Sequence, residues 1–253
     1  MRKDTYYHEG DLDILEDSSI KIAIVGSRSI LPYTISILEN LFDELENFDI
    51  CIVSGGMYGV DIYSHNLALS RNLKTIFVLP QGIENYKNSS LYNQIKIKEN
   101  SKFLFISKYP KLASPKKHTY IERNKIIVDL SKLVFVAQAS YNSGSLSTGN
   151  FSLRKGKPTV SLPFSLENNQ FQGTNFLIEK GSKIYLSPES ILKILGFYVD
   201  NIDLKIKELI NFTPIGLQDL SKKLESDSRY LEKRLLKMIL DGEIFFDGEK
   251  YYL

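Results

Sequence analysis

The sequence predicts a doubly wound α/β domain followed by a small helical unit that ends in a hairpin. Three observations carry this expectation. Seven short apolar runs alternate with longer helix-like segments between residues 20 and 186. Several runs are continuous in Val, Ile, Leu and Phe, the habit of strands buried on both faces of a parallel sheet. Beyond residue 200 the pattern changes to compact amphipathic segments and a terminal Asp-Gly turn.

The expected strands span residues 20–25, 50–53, 75–79, 102–106, 133–137, 159–162 and 183–186. Helices are expected over 33–46, 61–71, 89–99, 123–130, 145–155 and 174–180. Strand–helix alternation of this kind builds an open sheet covered on both faces. Right-handed crossovers then put the ligand site at the carboxyl ends of the strands. In the second unit, residues 203–210, 217–224 and 228–240 are expected helices. Leu231, Leu235, Leu236 and Ile239 lie at helical spacing in the third. Residues 244–253 read as a hairpin turning at Asp247-Gly248, and three helices followed by a hairpin is the winged-helix plan. The expected division is an acidic tail or partial cap over 1–19, the α/β domain over 20–197 and the winged-helix-like domain over 200–253.

With 253 residues, 43% of them hydrophobic and 25% charged, the chain can bury a core without disulfides or metals. Its one cysteine, Cys51, cannot form an intramolecular disulfide and sits in an apolar run, as a buried inert thiol does. No apolar stretch approaches the ~20 residues of a membrane helix. The N-terminal stretch is acid-rich, without the apolar core of a signal peptide, so a soluble cytoplasmic protein is expected. The net charge of +2 hides an asymmetry. Residues 1–19 carry two Lys/Arg against six Asp/Glu, residues 20–199 carry 21 against 13, and residues 200–253 carry nine against eleven. The basic middle favours an anionic partner, nucleic acid or a phosphorylated metabolite.

Four loops at strand ends hold the candidate chemistry. In the first, the strand over 20–25 runs into Gly26, Ser27 and Arg28: a tight turn, a helix start and a guanidinium, the parts of a phosphate site. The second, residues 53–61, nearly satisfies G-x-G-x-x-G, but Ser54 stands where the first glycine belongs. The next strand ends Val78-Leu79-Pro80-Gln81 with no acid to hold a ribose, so a dinucleotide cofactor is not expected. Its glycines instead serve close backbone approach, with Asp61 as a helix cap and His65 as a structural group. No spacing points to a metal.

The third stretch, residues 98–125, has eight Lys/Arg and two Glu. Lys116, Lys117, Arg123 and Lys125 are interleaved with Tyr109, His118 and Tyr120, a mixture of cations and flat rings suited to single-stranded nucleic acid. Arg123, Asn124 and Lys125 are expected at the start of a helix, where its positive end adds to theirs. The fourth, residues 138–148, places Ser143, Gly144 and Ser145 at another helix start. Arg154, Lys155 and Lys157 are expected to serve structure. Gly173, Thr174 and Asn175 fit either the same edge or a cap.

Taken in order, IAIVGSR (22–28), IVSGGMYGVD (52–61), RNKIIVDLS (123–131), SGSLST (143–148) and GTNFLIEKG (173–181) resemble the DprA/Smf family of DNA-processing proteins. The resemblance covers about residues 20–196. It implies an extended Rossmann-like domain that binds single-stranded DNA, loads the RecA recombinase during natural transformation and commonly forms homodimers, with no catalytic residues, cofactor or metal. Matched motif by motif, the family's basic pocket falls on Arg28 and Arg123. Lys117, Asn124 and Lys125 fit its rim, and Ser143, Gly144 and Ser145 its phosphate loop. This chain reads Arg123-Asn124-Lys125 where the family usually has Arg-Asn-Arg, so a point charge replaces a fork. It also has Gly56-Met57-Tyr58 where the second motif often carries an alanine.

The rival function is a phosphoribohydrolase acting on nucleoside monophosphates. Such enzymes show a P-G-G-x-G-T-x-x-E loop, whereas residues 143–150 read SGSLSTGN with no acid. No Walker A or H-E-x-x-H motif is present either. A binding protein is therefore expected. The C-terminal unit is net acidic, although Arg229, Lys233, Arg234 and Lys237 gather on its third helix, so a protein contact or weak DNA role is expected of it.

Overall fold

The computed structural model describes residues 6–197 and 202–253. Strands β1 (Tyr7–Gly10), β2 (Ile20–Val25), β3 (Ile50–Ser54), β4 (Lys74–Leu79), β5 (Phe103–Ser107), β6 (Leu133–Val136), β7 (Thr159–Ser161) and β8 (Lys183–Ile184) form one sheet. Their spatial order is β1-β5-β4-β3-β2-β6-β7-β8. Every pairing is parallel except β1 with β5. All of β3 and β6 is buried, which explains why their sequences run apolar without alternation.

Helices cover both faces, as the strand–helix alternation requires. On one side Ala23, Val25, Val53, Val78, Ile106 and Val136 pack against α4 (Lys117–Leu130), α5 (Gly144–Arg154) and α6 (Gln172–Glu179) through Ile127, Leu146 and Leu177. On the other, Phe77, Leu79 and Phe105 pack against Ile62 of α2 (Val60–Ser70) and Ile83 and Tyr86 of α3 (Ile83–Lys87). The helix α1 (Pro32–Leu45) lies beside α2, with Leu38, Leu41, Phe42 and Leu45 buried.

The chain leaves β2 toward β3, β4 and β5 on one side, then returns to β6, β7 and β8 on the other. The connections diverge between β2 and β6, whose register pairs Ile22 with Leu133 and Val25 with Val136. In an open α/β sheet this switch point opens a crevice outside the carboxyl ends of the two strands.

Three expectations are corrected. The acidic segment 1–19, expected as a tail or partial cap, contributes β1 and a 3-10 turn over Leu12–Leu15. Tyr6, Ile14 and Leu15 join the core, and Tyr7 pairs with Ser107. An edge strand needs backbone bonds and little apolar pattern, so its acid-rich sequence hid it. The helix expected over 89–99 is absent. The chain there has the 3-10 turn Tyr92–Gln94, then runs extended, with Lys96 N–H held by Asn66 Oδ1 at 2.9 Å and Ile95 and Ile97 packed on the Phe77 cluster. Finally, α4 begins six residues earlier than expected. Its first two turns carry no apolar stripe because they face solvent and a cleft.

Compactness divides the chain into Met1–Ser190 and Ile191–Leu253. The expected junction between 197 and 200 falls on residues 198–201, outside the described residues. The second unit contains α8 (Ile202–Phe212), α9 (Leu217–Leu224), α10 (Ser228–Leu240) and a hairpin of β9 (Phe245–Phe246) with β10 (Tyr251–Tyr252). The short α7 (Glu189–Leu195) precedes them. Asp227 caps α10 by accepting from Arg229 and Tyr230 N–H, and Arg234 pairs with Asp203. Leu231, Leu235 and Met238 are buried. Leu236, expected in the same stripe, is 57% exposed, because the helical period carries it off the buried face.

Ion pairs tie the acidic segment down. Asp17 meets Lys21 at 3.2 Å and Lys74 at 2.7 Å, and it accepts from the Ser19 hydroxyl. Partial burial alone would raise the Asp17 pKa. The hydrogen bonds from Lys74, Ser19 and Lys21 outweigh it and bring the value from 3.8 to about 2. A depressed carboxylate stabilises the fold above its unfolded pKa and loses that contribution as pH falls through its folded one. Asp17→Asn is therefore expected to be less stable than wild type above pH 4, with the difference closing as pH falls toward 2. Urea denaturation across this range tests it, and a pH-independent difference would count against the assignment.

Candidate functional site

A cleft of about 430 Å³ opens at the switch point. Its walls come from three of the four loops singled out in the sequence and one face of α4. Gly26, Ser27 and Arg28 follow β2, Met57 and Asp61 follow β3, and Asn142, Ser143, Gly144 and Ser145 lead into α5. Tyr120, Arg123, Asn124 and Ile127, at i, i+3, i+4 and i+7, line it from α4.

The loops lock together by close backbone approach. Val60 N–H donates to Ser27 O at 3.1 Å, and Ser145 Oγ donates to Gly26 O at 2.6 Å. Asn124 Nδ2 reaches Gly144 O at 3.3 Å. Gly59 has φ +77°, and a Cβ there would collide with the carbonyls of Ser27 and Arg28. Its conformation and its neighbours both demand glycine. Beneath the loop, buried Gln138 donates to Ser29 O at 2.7 Å and accepts from Leu31 N–H and Thr34 Oγ1.

Positive groups converge on this cleft. Ser143 caps α5 by accepting from Leu146 N–H at 3.1 Å. The N–H groups of Gly144 and Ser145, in the first turn, have no partner within the helix, and the helix dipole adds positive potential. Arg28 is exposed and lines the cleft. Arg123 is 5% exposed: Nη1 donates to Gly55 O and to Val78 O (3.0 Å), and Nε donates to Asn124 Oδ1 (3.0 Å). Burial pulls the Arg123 pKa down; Asp61, Tyr120 and Tyr86 oppose that, while Arg28 adds to it.

Asp61 is the acid that lines the cleft. It is 6% exposed, and burial pushes its carboxyl up. Arg123 and hydrogen bonds from Met57 N–H, the Ser54 side chain and Gly26 N–H oppose the shift. It sits inside α2, whose N-cap is Gly59, so it is not the cap expected from sequence. His65 is structural, as expected. It shares a hydrogen bond with Thr75 Oγ1 at 2.7 Å and stacks on Phe77, and burial drives its pKa well below 6.5.

Of the expected site residues, Gly26, Ser27, Arg28, Arg123, Asn124, Ser143, Gly144 and Ser145 are brought together. Lys116, Lys117 and Lys125 are exposed and do not line the cleft. Lys125 is turned away because one residue along a helix rotates by about 100° from Asn124. Lys116 and Lys117 mark the start of α4, so Arg123 is mid-helix and lacks the positive end expected to support it. Tyr120 enters the cleft, with the Arg123 guanidinium 5.9 Å from its ring centre. Tyr109 is tied to Glu122 at 2.8 Å.

Three further candidates make contacts within the fold. Gly173 N–H donates to Ala139 O at 2.9 Å, bracing the fourth loop from behind. Lys157 donates to Val128 O (2.6 Å), Asp129 O and Ser131 O at the end of α4, and Lys155 pairs with Asp129. Tyr120, expected as one of the flat rings of the basic stretch, lines the cleft, whereas Asp61 was expected as a helix cap and not as a cleft residue. Its sequence gave no signal, since only the fold brings it into one cleft with residues 143–145.

The chain is a doubly wound α/β protein whose switch-point cleft is lined by two arginines and a capped helix start. The model of the DNA recombination-mediator protein A family matches residues 4–196, and the chain belongs to that family. It is 32% identical over 194 residues to DNA processing protein DprA of Streptococcus pneumoniae, covering 76% of this chain and 66% of that one. It is also 32% identical to Protein Smf of Escherichia coli, covering 75% of this chain and 50% of that one. The chain thus spans about half to two thirds of the length of these relatives. DNA processing protein A from Helicobacter pylori, whose structure was described for its single-stranded DNA binding mode, superposes with a TM-score of 0.64. That match has 32% identity and covers 76% of this chain and 86% of that one.

Gly59→Ala should cost more than about 1 kcal/mol, since it adds a collision to backbone strain. Gly156 also has positive φ, but nothing lies within 4 Å of its missing Cβ, so Gly156→Ala should cost less. Urea midpoints of the two variants test this. Equal midpoints would mean that the two loops separate freely.

Proposed function

We propose that this chain binds single-stranded DNA largely independently of sequence, with backbone phosphates lying across Gly26, Ser27 and Arg28, Arg123 and Asn124, and Ser143, Gly144 and Ser145. The observation that supports this most is the convergence of those residues on one switch-point cleft. An unpaired strand can bring its phosphates into such a cleft while its bases turn outward or stack, Tyr120 being the ring at hand. Exposed Lys116 and Lys117 extend the positive surface beyond the cleft, and Lys125 is left out of the contact set. The single-stranded DNA binding described for the Helicobacter pylori relative supports the same ligand.

Within this proposal the chain acts in DNA processing and recombination during transformation, protecting incoming strands and loading RecA, as a cytoplasmic homodimer without a catalytic step. Among the described residues no helix is long and apolar enough to cross a membrane. We further propose that the three helices and hairpin of the second unit form a winged-helix-like domain. Its Arg234 is engaged with Asp203, which favours a protein contact over duplex recognition.

If about four phosphates are neutralised, log K should fall against log salt with a slope of about −3, from ~0.7 per phosphate on single strands. A slope near zero would remove the electrostatic basis of the proposal. Arg28→Ala should weaken binding by about tenfold on every sequence alike. A loss confined to particular sequences would contradict phosphate recognition. Removing residues 200–253 should leave strand binding mostly intact, and near-complete loss would move the site to the second unit. Release of base from nucleoside monophosphates would favour the phosphoribohydrolase alternative, for which Asp61 is the one acid lining the cleft.

A further inference from the structure

A buried carboxylate is out of place in a pocket that serves only to attract anions. Asp61 is 6% exposed, lines the same cleft as Arg28 and Ser145, and is held by Met57 N–H at 3.4 Å. Gly55 lies between Asp61 and Arg123, and a Cβ on it would collide with both side chains. The missing side chain of Gly55 leaves the space in which the two charged side chains approach each other.

The hydrogen bonds of Arg123 go to neutral oxygens of Gly55, Val78 and Asn124. They engage Nε and Nη1 without balancing the charge, and a buried charge without a counter-charge is costly. Asp61 supplies that counter-charge. The uncancelled positive charge is then exposed Arg28 and the partial charge of the α5 start. Tyr86, whose pKa burial raises, and His65, whose pKa burial lowers, add no counter-charge at neutral pH.

We propose that Asp61 is the internal counter-anion of Arg123 and thereby matches the cleft to the singly charged phosphodiester of a polynucleotide, against doubly charged phosphomonoesters. The proposal rests on the single-strand reading above and names the residue that sets its ligand class. A phosphodiester carries one negative charge at neutral pH, whereas a monoester carries about −1.5 to −2. The surplus charge of the monoester would fall against the Asp61 carboxylate in a site sheltered from water, where repulsion is poorly screened. A cleft with both arginines uncompensated would instead favour the dianion.

The test displaces labelled oligothymidylate from the full chain with thymidine 5′-monophosphate or with its methyl ester, which carries one charge, at pH 7.5. The methyl ester is expected to compete as well as the monophosphate or better. A monophosphate ahead by about fivefold or more overturns the proposal. So does failure of the methyl ester to displace the strand, because a matched cleft must hold the isolated diester. In Asp61→Asn, competition should shift by about fivefold toward the monophosphate relative to its ester, and an unchanged ratio overturns the proposal. Should that variant fail to fold, the wild-type comparison decides alone. A wild type that binds no oligothymidylate overturns the single-strand reading and this proposal with it, whereas binding with the monophosphate ahead overturns only this one.

Discussion

A guanidinium buried below the floor of the sheet's open edge holds this site together. Arg123 reaches from the middle of α4 to the carbonyls of Gly55 and Val78, the ends of two neighbouring strands. Backbone carbonyls at strand ends need partners when buried, and a rigid planar fork can serve two at once. The same contact fixes α4 against the switch point. Asn124, next in sequence, can then meet Gly144, while Tyr120 and Ile127 line the cleft one turn away on either side. A lysine would offer a point charge on a flexible stem and could not set this geometry.

Around that anchor, the loops divide their work between support and contact. The segment after β3 does both: Gly59 adopts a positive φ that lets Val60 N–H hold the Ser27 carbonyl, while Met57 and Asp61 line the cleft. The loops after β2 and β6 are thereby fixed with Arg28 and residues 143–145 lining one space. Preorganisation of this kind lowers the entropy that binding would otherwise cost. The charged floor of Asp61 and Arg123 gives that space a net charge smaller than its count of arginines.

Much of this was legible in the sequence, and particular residues show where legibility stopped. Continuous apolar runs located β2 to β7 because both their faces are buried. The longer helix-like segments between those runs located α1, α2, α5 and α6. The method failed where burial did not write the pattern. The strand β1 is an edge held by backbone bonds, and the first half of α4 faces the cleft. Residues 89–99 mix serines, asparagines and alternating isoleucines whose extended path is set by Asn66, distant in sequence.

The sequence by itself determined the layered α/β class, the order along the chain of most strands and helices, and which glycine-bearing loops follow the strands, because these depend on local periodicity and on the special dihedral freedom of glycine. It also held the ordered motifs that mark the family. Only the tertiary structure decided that Arg123 is an interior anchor, that Lys125 lies outside the cleft while Arg28 lines it, and that Asp61 shares that cleft with a loop more than eighty positions later. Those outcomes depend on which strand ends become neighbours across the switch point, and side-chain charge in a sequence carries no record of the direction in which it will point.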